Sequence, residues 1–253
     1  MASCKKDNGG SDGVLLFTLE DDKQLGLQLK QEVFSKPAEF PVVDTNRYEQ
    51  AYKYLRGLKD QILNSGQIKY KDEFAWEIYM IKNDSVLNAF ASPGGYIFVY
   101  TGLIQYLDKE DDLMGVLGHE MAHADQRHTV KQLQKDYGIS ILLSVVLGND
   151  PGMLSQILAS LAGQVAGLKF SRNAETEADL KSVEYLAPLP HRCDGAATFF
   201  KKIGDSGTPV FLSTHPSPSD RVEQIHAKAL EIGCDTTYFA PASYNSQFRN
   251  LLP

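Results

Sequence analysis

The chain has 253 residues, 43% of them hydrophobic and 23% charged, which is enough apolar material for one sizeable core. A formal net charge of -7 and the lack of any basic cluster argue against a nucleic-acid partner. The two most apolar stretches do not read as bilayer spans: 139–147 is too short, and Ser155, Gln156, Ser160 and Gln164 interrupt 153–168.

Residues 1–18 read as a disordered tether, because the tract from Lys5 to Gly13 is polar and Gly-rich. Cys4 at its head resembles the mature start of a bacterial lipoprotein. That reading expects a lipid anchor on Cys4 in the leader-bearing protein and a place on the periplasmic side of the envelope. An incidental cytosolic cysteine is the alternative. Helical spacing runs over 19–35, and Asp44 is positioned to cap a second amphipathic helix ending near Asn64. Residues 76–81 alternate like a half-buried strand, and further strands are expected at 86–90 and 96–100.

Asp108, followed by Lys109, Glu110 and Asp111, reads as the start of a largely buried helix with an acidic first turn. This helix carries His119-Glu120-Met121-Ala122-His123. Histidines four apart share one helix face and can converge on one ion. Glu120 sits one position round, where a general base for an activated water is needed. A catalytic zinc also needs a third protein ligand and an open position. One zincin class places a third His six residues after the second, with a Gly between them; those positions are Thr129 and Gln126, which excludes it. His128 is five residues beyond His123, so a continuous helix turns it off the ligand face and leaves it an exposed helix-end histidine.

Asn149-Asp150-Pro151-Gly152 is a turn signal, so 139–147 and 153–168 read as a helical hairpin. The third ligand is expected from the next helix, where Glu175 and Asp179 are four apart. Glu175 can ligate while Asp179 accepts the free ring N–H of a ligand histidine. Glu177 points elsewhere and reads as a solvated or structural charge. Cys193 and Cys234 border turns on either side of a unit with helices near 195–203 and 218–232. An oxidising compartment permits a disulfide between them, but sequence does not fix their distance.

The His119–His123 motif paired with Glu175–Asp179 resembles the gluzincin peptidases related to the HtpX heat-shock protease and the CAAX prenyl proteases. The resemblance runs from about residue 40 to about residue 230. It includes the segment from Asn88 through Gly95, Thr101-Gly102-Leu103, and Thr214-His215-Pro216 followed by Arg221. The transmembrane helices of HtpX-like members and the C-terminal helical repeats of several periplasmic relatives are not evident in this sequence. The expected architecture for 19–253 is a single zincin-like α+β domain: predominantly helical, with a small, mostly antiparallel sheet beside the active-site helix.

The resemblance implies one zinc ion per chain and a sheet edge at Asn88, Ala89, Phe90 and Ala91 that holds extended peptide by strand addition. It leaves three roles for His215: oxyanion donor, latch filling the open zinc position, or structural turn residue. The latch is the favoured role. Arg221 is expected to fix that loop through a carboxylate or backbone carbonyls. The expected function is a zinc endopeptidase acting on unfolded or misassembled envelope proteins. A zinc exopeptidase and a non-enzymatic zinc-stabilised chaperone for extended chains are the alternatives, and Glu120 favours an enzyme.

Overall fold

In chain order, the elements of the computed structural model begin with α1 (Leu19–Ser35) and α2 (Glu49–Leu63). Three strands follow, β1 (Glu77–Ile81), β2 (Ala89–Ser92) and β3 (Tyr96–Tyr100). The helical body is α3 (Thr101–Tyr106), α4 (Glu110–Asp125), α5 (His128–Tyr137), α6 (Ile139–Val146), α7 (Pro151–Leu161) and α8 (Arg172–Leu186). It continues through α9 (Gly195–Gly204), α10 (Val210–Thr214), α11 (Arg221–Ile232) and α12 (Ser243–Gln247). The structure describes residues 15–164, 169–204, 210–215, 220–237 and 243–253. Cys4 and the rest of the expected tether up to residue 14 lie outside them, as does Pro216.

Local chemistry explains where several elements begin. Thr18 and Asp21 form a reciprocal capping box that starts α1. Asp44 accepts from the N–H groups of Asn46 and Arg47, so it caps the turn that precedes α2 and not the helix itself. Asp108 likewise lies just outside α4: the N-cap is Lys109, and Asp108 pairs with Lys202 at 2.6 Å. The tether ends earlier than expected, because Phe17 is buried and Arg127 donates to the carbonyls of Phe17 and Thr18. An aromatic side chain with a core site to fill outweighs the polar composition before it.

The sheet is small and mixed, in the order β1-β3-β2. β2 and β3 pair antiparallel through a tight turn at Pro93–Gly95, where Gly94 and Gly95 take φ of 73° and 83°. β1 pairs with β3 in parallel. A mostly antiparallel sheet was expected; alternation of apolar residues identifies a strand but does not encode the direction of its neighbour, and one of the two pairings is parallel. Ile78, Met80, Ala89, Ala91, Ile97 and Val99 join one hydrophobic cluster with α2 and α4; Phe90, Tyr96, Phe98 and Tyr100 join another with α1, α5, α6 and α7.

Helix α4 is buried along its whole length. Two glycines let its neighbours close on it. A Cβ at Gly115 would lie 2.1 Å from Ala196 N in α9, and one at Gly118 would lie 2.5 Å from Ser182 Oγ in α8. Ser182 Oγ itself donates to Gly115 O at 2.9 Å, which holds α8 in register with α4. This close contact brings the side chains of α8 to the histidines of α4.

The expected hairpin is present as α6 and α7, bent by 105°, with Asp150 capping α7. No single helix among the described residues is long and apolar enough to cross a membrane, although this bent pair passes the same test of length and composition together. Gln24 and Gln28 donate to Val146 O and tie α6 to α1. Cys193 and Cys234 form a disulfide with Cα atoms 6.2 Å apart, closing a loop with a sequence separation of 41. In the chain-entropy account such a loop contributes about 4 kcal/mol of stability. The loop it closes carries both His215 and Arg221.

Candidate metal centre

Three elements bring the polar residues of the interior together. Successive turns of α4 present His119 and His123 on one face, α8 presents Glu175 and Asp179 with the same spacing, and His215 follows directly on α10. Ser171 caps α8 by accepting from Ala174 N, so Glu175 falls in the first turn, where the helix dipole favours a carboxylate. The Nε2 atoms of His119 and His123 are 3.1 Å apart. Glu175 Oε2 lies 3.6 Å from His119 Nε2, and Oε1 lies 3.5 Å from His123 Nε2. Two ligands bound at 2.0–2.1 Å to one tetrahedral ion are separated by about 3.3 Å.

The spacing of the three donors therefore fits a single zinc-sized ion, and His119, His123, Glu175 and His215 form a group that could hold one. His215 brings a fourth donor atom to the group, with Nδ1 3.3 Å from His119 Nε2 and 3.0 Å from Glu175 Oε1. Its other nitrogen lies 3.6 Å from Glu120 Oε1. All five residues are buried. A polar group of this size away from water is costly unless each member is partnered. A bound cation would supply that partner.

The charges around the cluster are arranged in pairs. Burial pushes the Glu120 carboxyl up, only partly offset by His215, His119 and the Ala91 backbone N–H. Burial also opposes charge on Glu175, but His215, His119 and Arg221 outweigh it and hold its pKa low. Asp179 is likewise held low against burial by His119 and Arg221. For His215, burial opposes protonation, and Glu175 and Glu120 more than reverse it. His123 is driven well below the usual imidazole range by burial and the neighbouring imidazoles.

Asp179 does stand beside a ligand histidine: His119 Nδ1 is 2.8 Å from Asp179 Oδ1, although off the line of a well-formed hydrogen bond. Arg221 finds carboxylates, one of the two kinds of partner expected for it. It is fully buried and donates to both carboxylate oxygens of Asp179, at 2.8 and 2.7 Å, and to Glu175 Oε2 at 3.2 Å. Its guanidinium also lies 3.4 Å from the centroid of the Phe200 ring. Among the described residues its partners are thus the carboxylates of α8, which a planar, forked cation suits better than a loop carbonyl does.

His128 corrects the sequence reading, whereas Glu177 is, as expected, an exposed charge. Helix α4 ends at Asp125, and Arg127 takes a left-handed conformation with φ 58°, so the chain reverses before α5. Asp22 holds Arg127 there at 2.6 Å. His128 returns, buried, against His123, with their Nδ1 atoms 3.1 Å apart, while its Nε2 is 3.1 Å from Glu177 Oε2. With no Gly or Pro at the break, the sequence offered no signal for this reversal. The aromatic walls were missed as well. Phe170 packs on His123 with centroids 4.1 Å apart, and Phe211 stacks on His215 at 4.4 Å.

The sheet edge lies beside the cluster but is closed. Tyr100 N–H donates to Asn88 O, so alternate residues Ala89 and Ala91 direct their backbone groups off the sheet. Ala91 N–H faces Glu120. Asn88, Ala89, Phe90 and Ala91 are all 3% exposed or less. Asn88 is bonded to Ala162 O, Phe90 stacks on Phe98, and Phe211 N–H occupies Leu87 O. A cavity of about 480 Å³ between α5 and α8 has His128, Phe170 and Glu177 in its wall and none of the four converging donors. Another cavity, about 540 Å³ between α2 and the C-terminal segment, shares no residue with the centre.

Residues 50–229, well over half of the chain, match the model of peptidase family M48. The chain belongs to peptidase family M48. Among family M48 relatives it is 33% identical over 177 residues to the mitochondrial metalloendopeptidase OMA1 of Schizosaccharomyces pombe, covering 67% of this chain and 50% of that one. It is 31% identical over 168 residues to a putative beta-barrel assembly-enhancing protease of Vibrio cholerae, covering 60% and 34%. It is 27% identical over 226 residues to the metalloprotease LoiP of Escherichia coli, covering 86% and 85%. The chain thus spans half or less of the length of the OMA1 and beta-barrel assembly-enhancing relatives, and most of the length of LoiP. Membership of family M48 and these metalloprotease relatives support a protease role and a divalent metal at the His/Glu cluster.

Proposed function

We propose that this chain is a zinc-dependent endopeptidase acting on unfolded or misassembled polypeptides of the bacterial cell envelope. The observation that carries the reading is the convergence of His119, His123 and Glu175 at tetrahedral spacing with Glu120 beside them. Zinc held by these three residues would acidify water and polarise a scissile carbonyl. Glu120, poised by burial for proton exchange, takes the proton of the attacking water and passes it to the leaving amine. Ala89 and Ala91 offer the outward backbone groups to which an extended substrate would add as a strand. Asp179 and Arg221 hold the ligands in place.

Metal analysis is the direct test. His119→Ala, His123→Ala and Glu175→Ala proteins are expected to lose zinc sharply, and casein cleavage by the parent is expected to stop on chelation and return with zinc. Full zinc occupancy in all three variants would sink the ligand assignment. Tight binding of casein with no cleavage at any zinc level would instead favour the zinc-stabilised chaperone.

His215 supports a resting state in which the site is latched. It fills the fourth position, lies against Glu120, and is joined through Phe211 to the covered edge at Leu87. Withdrawing it would free the position for water and the edge for substrate together. His215→Ala is expected to raise basal casein cleavage at unchanged zinc content. A fall of roughly a hundredfold in turnover would instead assign the oxyanion role.

The envelope location is supported by the Cys193–Cys234 disulfide, since such bonds persist in oxidising compartments. Cys4, outside the described residues, is the proposed point of lipid attachment. Thiol titration of protein isolated from its host under alkylating conditions is expected to find Cys193 and Cys234 blocked until reductant is added. Freely reactive thiols at both positions would argue against the compartment.

A further inference from the structure

His128 and Glu177 lie outside the set of proposed ligands, yet they are built into it. His128 is buried between His123, 3.1 Å away at Nδ1, and Glu177, 3.1 Å away at Nε2. Glu177 is half-exposed and lines the cavity between α5 and α8. The two facing Nδ1 atoms share one proton, because two ring N–H groups or two lone pairs cannot point at each other. Glu177, as a carboxylate, can only accept. It therefore calls for the proton of His128 at Nε2, which leaves a lone pair on His128 Nδ1. His123 must then carry its own proton on Nδ1 and present a lone pair at Nε2, the atom 3.1 Å from His119 Nε2 in the donor cluster. The opposite tautomers would block His123 Nε2 with a proton and set the Nε2 lone pair of His128 against a carboxylate.

From this geometry we propose that His128 and Glu177 are positioning residues that fix the tautomer of His123, so that its Nε2 is ready to ligate. The inference rests on the reading of His119, His123 and Glu175 as the metal site. It also distinguishes the two histidines: His119 has a carboxylate directly beside it, Asp179, whereas His123 reaches one through an intervening imidazole. Helix α8 thus supplies a carboxylate to the metal and one behind each histidine, from Glu175, Glu177 and Asp179. The reversal at Arg127, held by Asp22 and the carbonyls of Phe17 and Thr18, is what brings the relay into place.

Zinc affinity, measured by chelator competition on the purified full chain, tests the relay without recourse to activity. His128→Phe keeps a ring in the buried site but offers His123 no acceptor, whereas His128→Asn loses volume but places an amide oxygen near the former Nδ1. Loss of an outer hydrogen-bond partner weakens metal binding by roughly 10- to 100-fold. His128→Phe is expected to show a loss of that size, and His128→Asn is expected to stay near the parent. Glu177→Leu, at the exposed end, should weaken zinc in the same direction while leaving the folded core untouched. A purely packing role predicts the reverse order, with Phe near the parent and Asn weaker, and that order would overturn the relay. Parent-like affinity in both His128→Phe and Glu177→Leu would overturn it too, while leaving the site itself standing. A parent protein that binds no zinc would overturn the site reading and the relay together.

Discussion

Glu120→Gln is expected to lower peptide hydrolysis by roughly 10²- to 10⁴-fold, the usual contribution of a positioned proton-transfer group. Zinc content should stay at the parental level, because Glu120 is not among the four converging donors. Stability is the second readout. Glu120 is buried, its Oε1 has no hydrogen-bond partner among the described residues, and burial raises its pKa. Replacing a buried carboxyl whose burial is only partly compensated with a neutral amide of the same shape should leave the melting temperature unchanged or higher. Active sites commonly hold groups that are unfavourable for stability, so loss of activity with a gain in stability separates chemistry from unfolding. Cleavage at near the parental rate in this variant would overturn the proton-transfer role.

Arg221→Leu should produce the largest loss of stability. The guanidinium contacts three carboxylate oxygens of Glu175 and Asp179 within a fully buried site. Removing one partner of a buried ionic group leaves the other charges uncompensated, at a cost of about 3–5 kcal/mol. The sign of the pH dependence follows from the carboxylates. Against burial, both are held below their ordinary pKa: Glu175 by His215, then His119 and Arg221, and Asp179 by His119, then Arg221. In the parent their contribution is therefore present above the ordinary carboxylate range and lost as pH falls through their lowered values. The variant lacks the part of that contribution supplied by Arg221, so urea unfolding should show the greatest difference near neutral pH and a shrinking one in acid. A difference under about 1 kcal/mol at neutral pH, the scale of an exposed pair, would mean that Arg221 is not the main counter-charge.

The two predictions draw on different amounts of sequence information. Periodicity alone placed His119 and His123 on one face of α4, with Glu120 beside them and Glu175 and Asp179 stacked on α8. These relations are local, set by the 3.6-residue repeat, and hold wherever the helices are packed. The same is true of α1 and β3, which the sequence reads with the bounds found, Leu19–Ser35 and Tyr96–Tyr100. The sequence also marked His215 and Arg221 as members of one motif, and Cys193 and Cys234 as possible partners.

What the tertiary structure decided are relations between elements. The left-handed turn at Arg127, stabilised by Asp22 from a helix over a hundred residues earlier, turned His128 from a surface residue into a neighbour of His123. Which carboxylates Arg221 would meet, those of Asp179 and Glu175, was decided by the packing of α8 against α11, which buries it. The edge of β2 was placed beside Glu120 but closed by Phe211 and the segment at Ala162, which no pattern within 88–91 could announce. The parallel pairing of β1 and the disulfide belong to the same class. Spacing along a chain fixes which side chains share a face; which faces meet depends on buried contacts and counter-charges contributed from distant parts of the sequence.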